Sequence, residues 1–141
     1  MPSKETVVSQ IKSLLVNHPN INIDILFKYI PEFHTLHELI KEDEVIKGYC
    51  MGLLEGSKEK YLAGEWLVVL TNQRFIFVHK SFIKTRHDQF SLEFSHIQKI
   101  TTKMGWFFGQ IQFQTEPNTI KMIQIGKKNY EFFLPCLKDF L

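Results

Sequence analysis

The sequence predicts an α+β protein, in which an antiparallel sheet of about seven strands is flanked by helices at both ends of the chain. Three observations support this prediction. Apolar residues recur at helical spacing before residue 41 and again after residue 127. Between them lie short segments rich in β-branched and aromatic residues, separated by turn signals. The composition, 44% hydrophobic and 23% charged, is that of a globular protein and not of a disordered one.

Residues 1–41 form a predicted N-terminal helical arm. Ser3 is a suitable N-cap for a first helix, and Pro19 supplies its stop. A short second helix over residues 25–30 and a third apolar stripe over residues 33–40 precede the charged segment KEDE. Helices this short do not persist alone in water, so the arm must be buried against the chain's own sheet or a second copy. We favour the chain's own sheet. The first stripe consists of Val7, Val8, Ile11, Leu14 and Leu15.

Seven segments after Asp43 have the composition of strands. The sixth alternates cleanly, with Ile111 and Phe113 on one face and glutamines on the other, as in a half-buried antiparallel strand. The second and third contain LVVL and FIFV, which are apolar on both faces, so another element must cover the sheet there. We expect removal of the arm to expose Val68, Val69, Ile76 or Val78. The seven segments are EVIKGYCMGLLEG, EWLVVLTN, RFIFVHK, QFSLEFS, IQKITTKM, FGQIQFQT and TIKMIQIG.

The last fifteen residues predict an amphipathic helix that covers part of the sheet. Pro135 lies inside this helix and removes one backbone donor, so we expect a kink near Glu131. The apolar stripe of this helix is expected to be buried against the sheet, so deleting residues 130–141 should prevent folding. The apolar stripe consists of Tyr130, Phe133, Leu134, Leu137 and Leu141.

The segment TNQR predicts a tight turn that fixes the register of the two strands around it. Asn72 tolerates the left-handed conformation that such a turn can require, and Thr71 can bond locally to the backbone. Arg74 has two interpretations. Its guanidinium can recognise an anion, or it can pair internally with a carboxylate.

The stretch VLTNQRFIFV resembles a hairpin of bacterial PH-like domains of the YokE-like type and, more distantly, the equivalent hairpin of GRAM domains. The segment FSLEFSHIQKITTKMGWFFGQIQFQT is similar to the aromatic-x-x-Ile-x-x-Ile segment, Gly-containing turn and alternating strand of that family. The likeness covers roughly residues 43–141. It implies a PH-like seven-stranded antiparallel barrel capped by a C-terminal helix over residues 42–141, with the arm outside the resemblance.

A hairpin tip after the third strand is a candidate contact surface for an anionic membrane or a partner. Apolar side chains there are flanked by cations, so the former can insert and the latter can contact headgroups. The alternative is a solvated loop folded onto its own sheet, which we prefer. The candidate residues are Lys80, Phe82, Ile83, Lys84 and Arg86.

A second candidate surface is the segment MGWFFG, which concentrates Trp106, Phe107 and Phe108 between two glycines. These rings can form an exposed aromatic contact for a partner. We prefer the alternative, in which they pack into the end of the barrel or beneath the arm.

The remaining chemistry predicts no cofactor and no catalytic or metal site. The net charge of +2 is too small for a nucleic-acid binder. Cys50 and Cys136 are expected to be reduced core residues, and His34, His37 and Glu38 form at most half a metal site. The segment EGSKEKY contains glutamates as well as lysines, so its positive charge is cancelled. This argues against specific inositide binding.

We therefore expect a non-enzymatic binding or scaffolding module without a small-molecule substrate, acting in protein-protein interaction or self-association. The alternative is a peripheral membrane adaptor that binds anionic lipid through the hairpin tip after the third strand. The N-terminus lacks the apolar core and cleavage site of a signal peptide, and no apolar run is long enough to span a membrane. A cytoplasmic protein, peripheral at the membrane in the alternative, is the corresponding expectation.

Overall fold

The computed structural model describes residues 3–16, 30–55, 65–80, 87–116 and 118–141. Its described helices are α1 (Lys4–Leu14), α2 (Leu36–Leu39) and α3 (Lys127–Phe133), with 3-10 segments at Pro31–Thr35, Phe94–His96 and Leu134–Phe140. Its described strands are β1 (Ile46–Glu55), β2 (Glu65–Thr71), β3 (Arg74–Lys80), β4 (His87–Glu93), β5 (Ile97–Met104), β6 (Phe108–Thr115) and β7 (Thr119–Gly126).

All seven predicted strands are confirmed, and they form one antiparallel sheet in the order β4-β3-β2-β1-β7-β6-β5. The predicted barrel is not closed, because β4 and β5, which follow one another in the chain, are the two edges and do not pair. The sheet is nevertheless strongly curved. Phe75 and Phe77 of β3 contact Phe113 of β6, with ring centroids 5.0 and 5.5 Å apart, although three strands separate β3 from β6. Side-chain packing, and not a hydrogen-bonded seam, thus brings the two halves together.

The inner face of the curved sheet encloses the larger apolar core, which the C-terminal helix completes. Tyr130, Phe133 and Leu137 are buried there, as their helical spacing predicts. Leu141, the last member of the predicted stripe, is 61% exposed and does not contribute to the core. The helix departs from α geometry at Leu134, next to Pro135, and continues as a 3-10 segment. The irregularity therefore follows Phe133 and does not lie at Glu131.

The N-terminal arm packs on the outer face of the same sheet, as expected. Ser3 caps α1 by accepting a hydrogen bond from the backbone N–H of Thr6, which confirms the predicted N-cap. The backbone N–H of Ile46 donates to Oε1 of Gln10 at 2.8 Å and ties α1 to β1. The predicted second helix lies outside the described residues. The second apolar core consists of Val7, Ile11, Leu15, Phe33, Leu36, Ile40, Ile46, Tyr49, Leu67, Val69, Ile76 and Val78.

Strands β2 and β3 are buried on both faces because each face has its own cover. Leu67 and Val69 face the arm, whereas Val68 and Leu70 face the inner core, as the two-residue period of a strand requires. The expectation that removal of the arm would expose Val68 is therefore wrong, since Val68 lies on the inner face. The expectation agrees with the structure for Val69, Ile76 and Val78, which belong to the second apolar core on the face that the arm covers.

Candidate functional site

The most exposed apolar surface of the described chain is the turn between β5 and β6. Trp106 is 95% exposed, Phe107 76% and Phe108 50%, and Met104 at the end of β5 is 36% exposed. We call Met104 to Phe108 the aromatic tip. The expectation that these rings pack into the end of the sheet or beneath the arm is wrong. The arm covers β1, β2 and β3, whereas the tip extends from β5 and β6, at the opposite side of the strand order.

The aromatic tip is a short, defined turn. Met104 pairs with Gly109 across the hairpin, and the backbone N–H of Gly105 donates to the carbonyl oxygen of Phe108 at 2.9 Å. Only Trp106 and Phe107 lie between those two bonded residues. The two aromatic side chains with the largest exposed fractions among the described residues thus occupy the apex of the hairpin.

The base of the aromatic tip is held by the terminal helix. A Cβ placed on Gly109 would collide with the ring of Tyr130, so the ring packs directly against the backbone of β6. Tyr130 is only 5% exposed, although its neighbours along the helix, Asn129 and Glu131, are not buried. The exposed rings are therefore carried by a hairpin whose root is packed against buried structure.

Three exposed lysines lie near the base of the aromatic tip. Lys103 pairs with Gln110 on the hairpin itself, one residue before Met104. Lys127 and Lys128 open α3, directly after Gly126, which is the cross-strand partner of Phe108. The spacing of Lys127 and Lys128 in sequence does not relate them to the tip. The pairing of β6 with β7 brings these two lysines to it, which is why the sequence pattern alone missed them.

The aromatic tip and the end of β3 at Lys80 lie at opposite ends of the sheet. Every pair of neighbours in the sheet is antiparallel, so β3 and β5, second and seventh in the strand order, run in opposite directions. The chain leaves β3 at Lys80 and leaves β5 at Met104. The candidates Phe82, Ile83, Lys84 and Arg86 fall outside the described residues, as does the side chain of Lys80, and their contact role stays a prediction.

The β2-β3 turn carries a buried polar cluster rather than an anion site. Arg74 donates from Nε to Oε2 of Glu44 at 3.0 Å and from Nη2 to Oε1 of Glu44 at 3.1 Å. It also donates to the carbonyl oxygen of Leu39 at 2.7 Å and to Oγ of Ser91 at 3.3 Å. Four of the five N–H groups of a guanidinium are thus engaged within the chain. Of the two interpretations of Arg74, the internal pair with a carboxylate is the correct one.

Glu44 is fully buried, and its environment favours the ionised carboxylate. Burial by itself raises the pKa of Glu44, but hydrogen bonds from Arg74, Thr71 and the backbone of Lys41, together with the charge of Arg74, bring the pKa below its usual value of 4.5. Oγ1 of Thr71 donates to Oε2 of Glu44 at 2.6 Å. The segment KEDE contains three acidic residues, and nothing in the sequence distinguishes Glu44 from the other two.

The turn itself confirms one detail of its prediction and corrects another. Oγ1 of Thr71 accepts from the backbone N–H groups of Gln73 and Arg74, both at 3.1 Å, which is the predicted local bonding. Asn72 does not adopt the left-handed conformation. Among the described non-glycine residues, only Gln124 has a positive φ. Instead, Oδ1 of Asn72 accepts from the backbone N–H of Val45 at 2.8 Å and holds the turn against the chain before β1.

The cysteines and histidines form no described reactive centre. Cys50 and Cys136 are both free, as predicted; Cys50 is buried, and Cys136 is half-buried. Burial raises the pKa of both thiols, so neither is an activated nucleophile. Nε2 of His37 lies 3.9 Å from Oε1 of Glu38. Within the described ranges, no three His, Cys, Asp or Glu side chains are grouped as metal ligands. None of the described helices combines the length and apolar character needed to cross a membrane.

Comparison with known proteins agrees with the resemblance seen in the sequence. Among solved structures, the chain is similar to a DUF1696 family protein with a pleckstrin-homology domain from Shewanella loihica PV-4, with 12% sequence identity and a TM-score of 0.48. The match covers 85% of this chain and 97% of that one. No curated protein sequence matches the chain. The family model described as a bacterial PH domain matches residues 40–139, which is most of the chain, and the chain therefore belongs to the bacterial PH domain family.

Proposed function

We propose that this chain is a non-enzymatic binding module that attaches to its partner through the aromatic tip. PH-like domains in general support binding or scaffolding. The single observation that carries the proposal is the exposure of Trp106 and Phe107 at the apex of a packed hairpin. Large aromatic side chains contribute most to stability when buried, and Trp is enriched among the residues that dominate binding at interfaces. An aromatic apex left in water is thus better suited to binding than to folding.

The arm, in contrast, is a poor contact surface for a protein partner. Its apolar residues Val7, Ile11 and Phe33 are 0 to 1% exposed because they pack on the outer face of the sheet. A partner would have to displace the arm and leave β2 and β3 uncovered. Protein-protein interaction, the function expected from the sequence, is therefore better supported at the aromatic tip than at the arm.

The test is a double substitution, Trp106→Ser with Phe107→Ser, compared with a matched control, Val16→Ser with Leu141→Ser. The control residues are 75% and 61% exposed, so both variants remove two exposed apolar side chains. We expect both to melt like the wild-type protein. Only the tip variant should lose association, measured as mass by light scattering and as distribution between soluble and particulate cell fractions. Equal behaviour of the two variants in both measurements would contradict the proposal.

Self-association through the sheet edges is a second candidate function, supported by a separate observation. The edges β4 and β5 each pair with a neighbour on one side only. An unpaired row of backbone groups is a template on which a second copy can add a strand and form a symmetric dimer. If this occurs, Gln89→Lys with Thr101→Lys should lower the scattering mass to that of a monomer, since edge lysines oppose strand addition. A wild-type protein that is monomeric at every concentration would exclude it.

A further inference from the structure

We propose that the partner of the aromatic tip is the surface of an anionic lipid bilayer. Trp106 and Phe107 insert at the interface, and Lys103, Lys127 and Lys128 contact the headgroups. This inference rests on the proposed function, because it names the partner class for the same surface.

The shape of the tip favours a bilayer over a folded protein. Trp106 and Phe107 are neighbours at the apex of a two-residue turn, and both project into solvent. A protein partner would need a deep pocket complementary to two adjacent rings, whereas a bilayer interface adapts to a convex apolar tip. Indole also suits this position, because its ring is apolar and its N–H remains near the headgroups.

The distances along the hairpin match the depth of interfacial insertion. Lys103 stands two strand residues, about 7 Å, behind Gly105, where the turn that carries Trp106 begins. Apolar faces of interfacial segments are buried by about 5 to 10 Å. When Trp106 reaches that depth, the ammonium group of Lys103 lies at headgroup level, and its flexible stem can adjust the position further.

The charge around the tip complements an anionic surface. Lys127 and Lys128 enter from a different element, because Gly126 pairs with Phe108 and α3 begins at the next residue. The acidic residue nearest to them in the chain is Glu131, one turn further along α3. Three cations therefore lie at the base of the aromatic tip, on two elements that Tyr130 packs together through its contact with Gly109.

The position of the tip separates this inference from the membrane contact that the sequence suggested after β3. The aromatic tip lies at the end of the sheet opposite to the end of β3, and the candidates of the other surface follow β3 and lie outside the described residues. A substitution in either segment therefore tests one surface without altering the other.

The first experiment is sedimentation of the full chain with vesicles of phosphatidylcholine, either alone or with about 30 mol % phosphatidylglycerol. We expect binding to the anionic vesicles only, weaker at high salt. Removing the three tip lysines (Lys103→Gln, Lys127→Gln, Lys128→Gln) should weaken binding by about fivefold per lysine. A charge-matched control on the arm (Lys4→Gln, Lys12→Gln, Lys41→Gln) should retain most of the affinity. Trp106→Ser with Phe107→Ser should lose about tenfold or more.

The second experiment uses tryptophan fluorescence. The chain contains two tryptophans, of which Trp66 is 1% exposed and Trp106 is 95% exposed. Adding anionic vesicles should shift the emission of the wild-type protein to shorter wavelength and allow quenching by brominated acyl chains. The Trp106→Phe variant keeps an aromatic apex and should bind, but its remaining Trp66 emission should not change. This pair of results assigns the insertion to the tip.

Three results would overturn the bilayer inference: no binding of the wild-type protein to anionic vesicles at low salt, equal binding to neutral vesicles, or binding that the tip substitutions leave unchanged. Loss of binding in Phe82→Ser with Lys84→Glu, with the tip variants unaffected, would assign the contact to the segment after β3. If vesicles are not bound but the tip variant still loses association in light scattering or cell fractionation, the proposed function stands with a protein partner. If the tip variant changes nothing in any assay, both proposals fail.

Discussion

The ring of Tyr130 occupies the space in which a Cβ of residue 109 would stand, and residue 109 is glycine. Through this contact the terminal helix packs against the start of β6, next to the turn between β5 and β6. Tyr130 belongs to the inner core, and Gly109 is one residue from the exposed Phe108. The contact thus joins the inner apolar core to the most exposed apolar surface of the described residues.

Gly109→Ala is expected to lower the free energy of unfolding by about 1 to 3 kcal/mol, the usual range for overpacking a core. Gly126→Ala is the control, because the nearest atom to its added Cβ is 3.9 Å away. Chemical denaturation of both variants measures the difference. A Gly109→Ala protein as stable as the control would show that Tyr130 does not pack there.

Glu44→Gln should cost about 3 kcal/mol of unfolding free energy, because it leaves the largely buried Arg74 without its carboxylate. The control is Glu55→Gln, whose partner Lys121 lies 3.5 Å away in an exposed pair, and which should cost less than about 1 kcal/mol. The comparison needs only urea denaturation at neutral pH. Similar costs for the two variants would mean that Glu44 contributes no more than a surface pair.

Stability should decrease in acid because of Glu44. Its pKa is lower in the folded chain than the ordinary 4.5, since its hydrogen bonds and Arg74 outweigh the effect of burial. The unfolded chain therefore binds the proton more readily, and the contribution of Glu44 is present above about pH 4.5 and is lost as the pH falls below it. Urea denaturation between pH 6 and pH 3 should show a shallower loss for Glu44→Gln. An unchanged slope in that variant would assign the acid sensitivity to other carboxylates.

Ile11→Ala is expected to destabilise the whole domain and not only the arm. Ile11 is fully buried in the second apolar core, between the arm and the outer face of the sheet, and truncating such a residue costs about 2 to 5 kcal/mol. The control is Val16→Ala, at a residue 75% exposed.

Removing residues 1–41 should lead to aggregation, because the outer face of the sheet loses its cover. A truncated domain that stays monomeric and melts like the full chain would show that the domain does not need the arm for its stability.

Phe133→Ala should cost about 3 to 5 kcal/mol, since Phe133 is fully buried in the inner core. Leu141→Ala, at the exposed end of the same segment, should have little effect. Deleting residues 130–141 removes three core side chains together, and we expect no cooperative melting. A soluble deletion product with a sharp thermal transition would contradict the role of the terminal helix.

The sequence predicts most of the fold because the pattern of each element is local. The alternation around Ile111, the two-sided apolar runs of β2 and β3 and the stripe ending at Leu137 each record which faces are buried. Closure of the barrel is not local. It depends on whether β4 and β5 pair, and nothing in their residues decides this.

The candidate site was harder to predict, for a physical reason. Hydrophobicity favours burial, and this predicts Trp106 and Phe107 inside, although they stand at the apex of a turn that none of the described elements covers. The nearby lysines on α3 become neighbours of the tip only through the pairing of Gly126 with Phe108. Long-range register of this kind is absent from the spacing of residues along the chain.

The arm covers the outer face of the β2-β3 hairpin and the C-terminal helix covers its inner face, and these two elements are synthesised at different times. Synthesis proceeds from the N-terminus, so the arm leaves the ribosome before the strands that it covers, and their outer face can be sealed as it emerges. The inner face has to wait for residues 127–141, which are synthesised after all seven strands. A nascent chain paused after β3 would therefore expose Val68, Leu70, Phe75 and Phe77 but not their outward-facing neighbours. Chaperones that act during translation would find their binding surface on the inner face of this sheet.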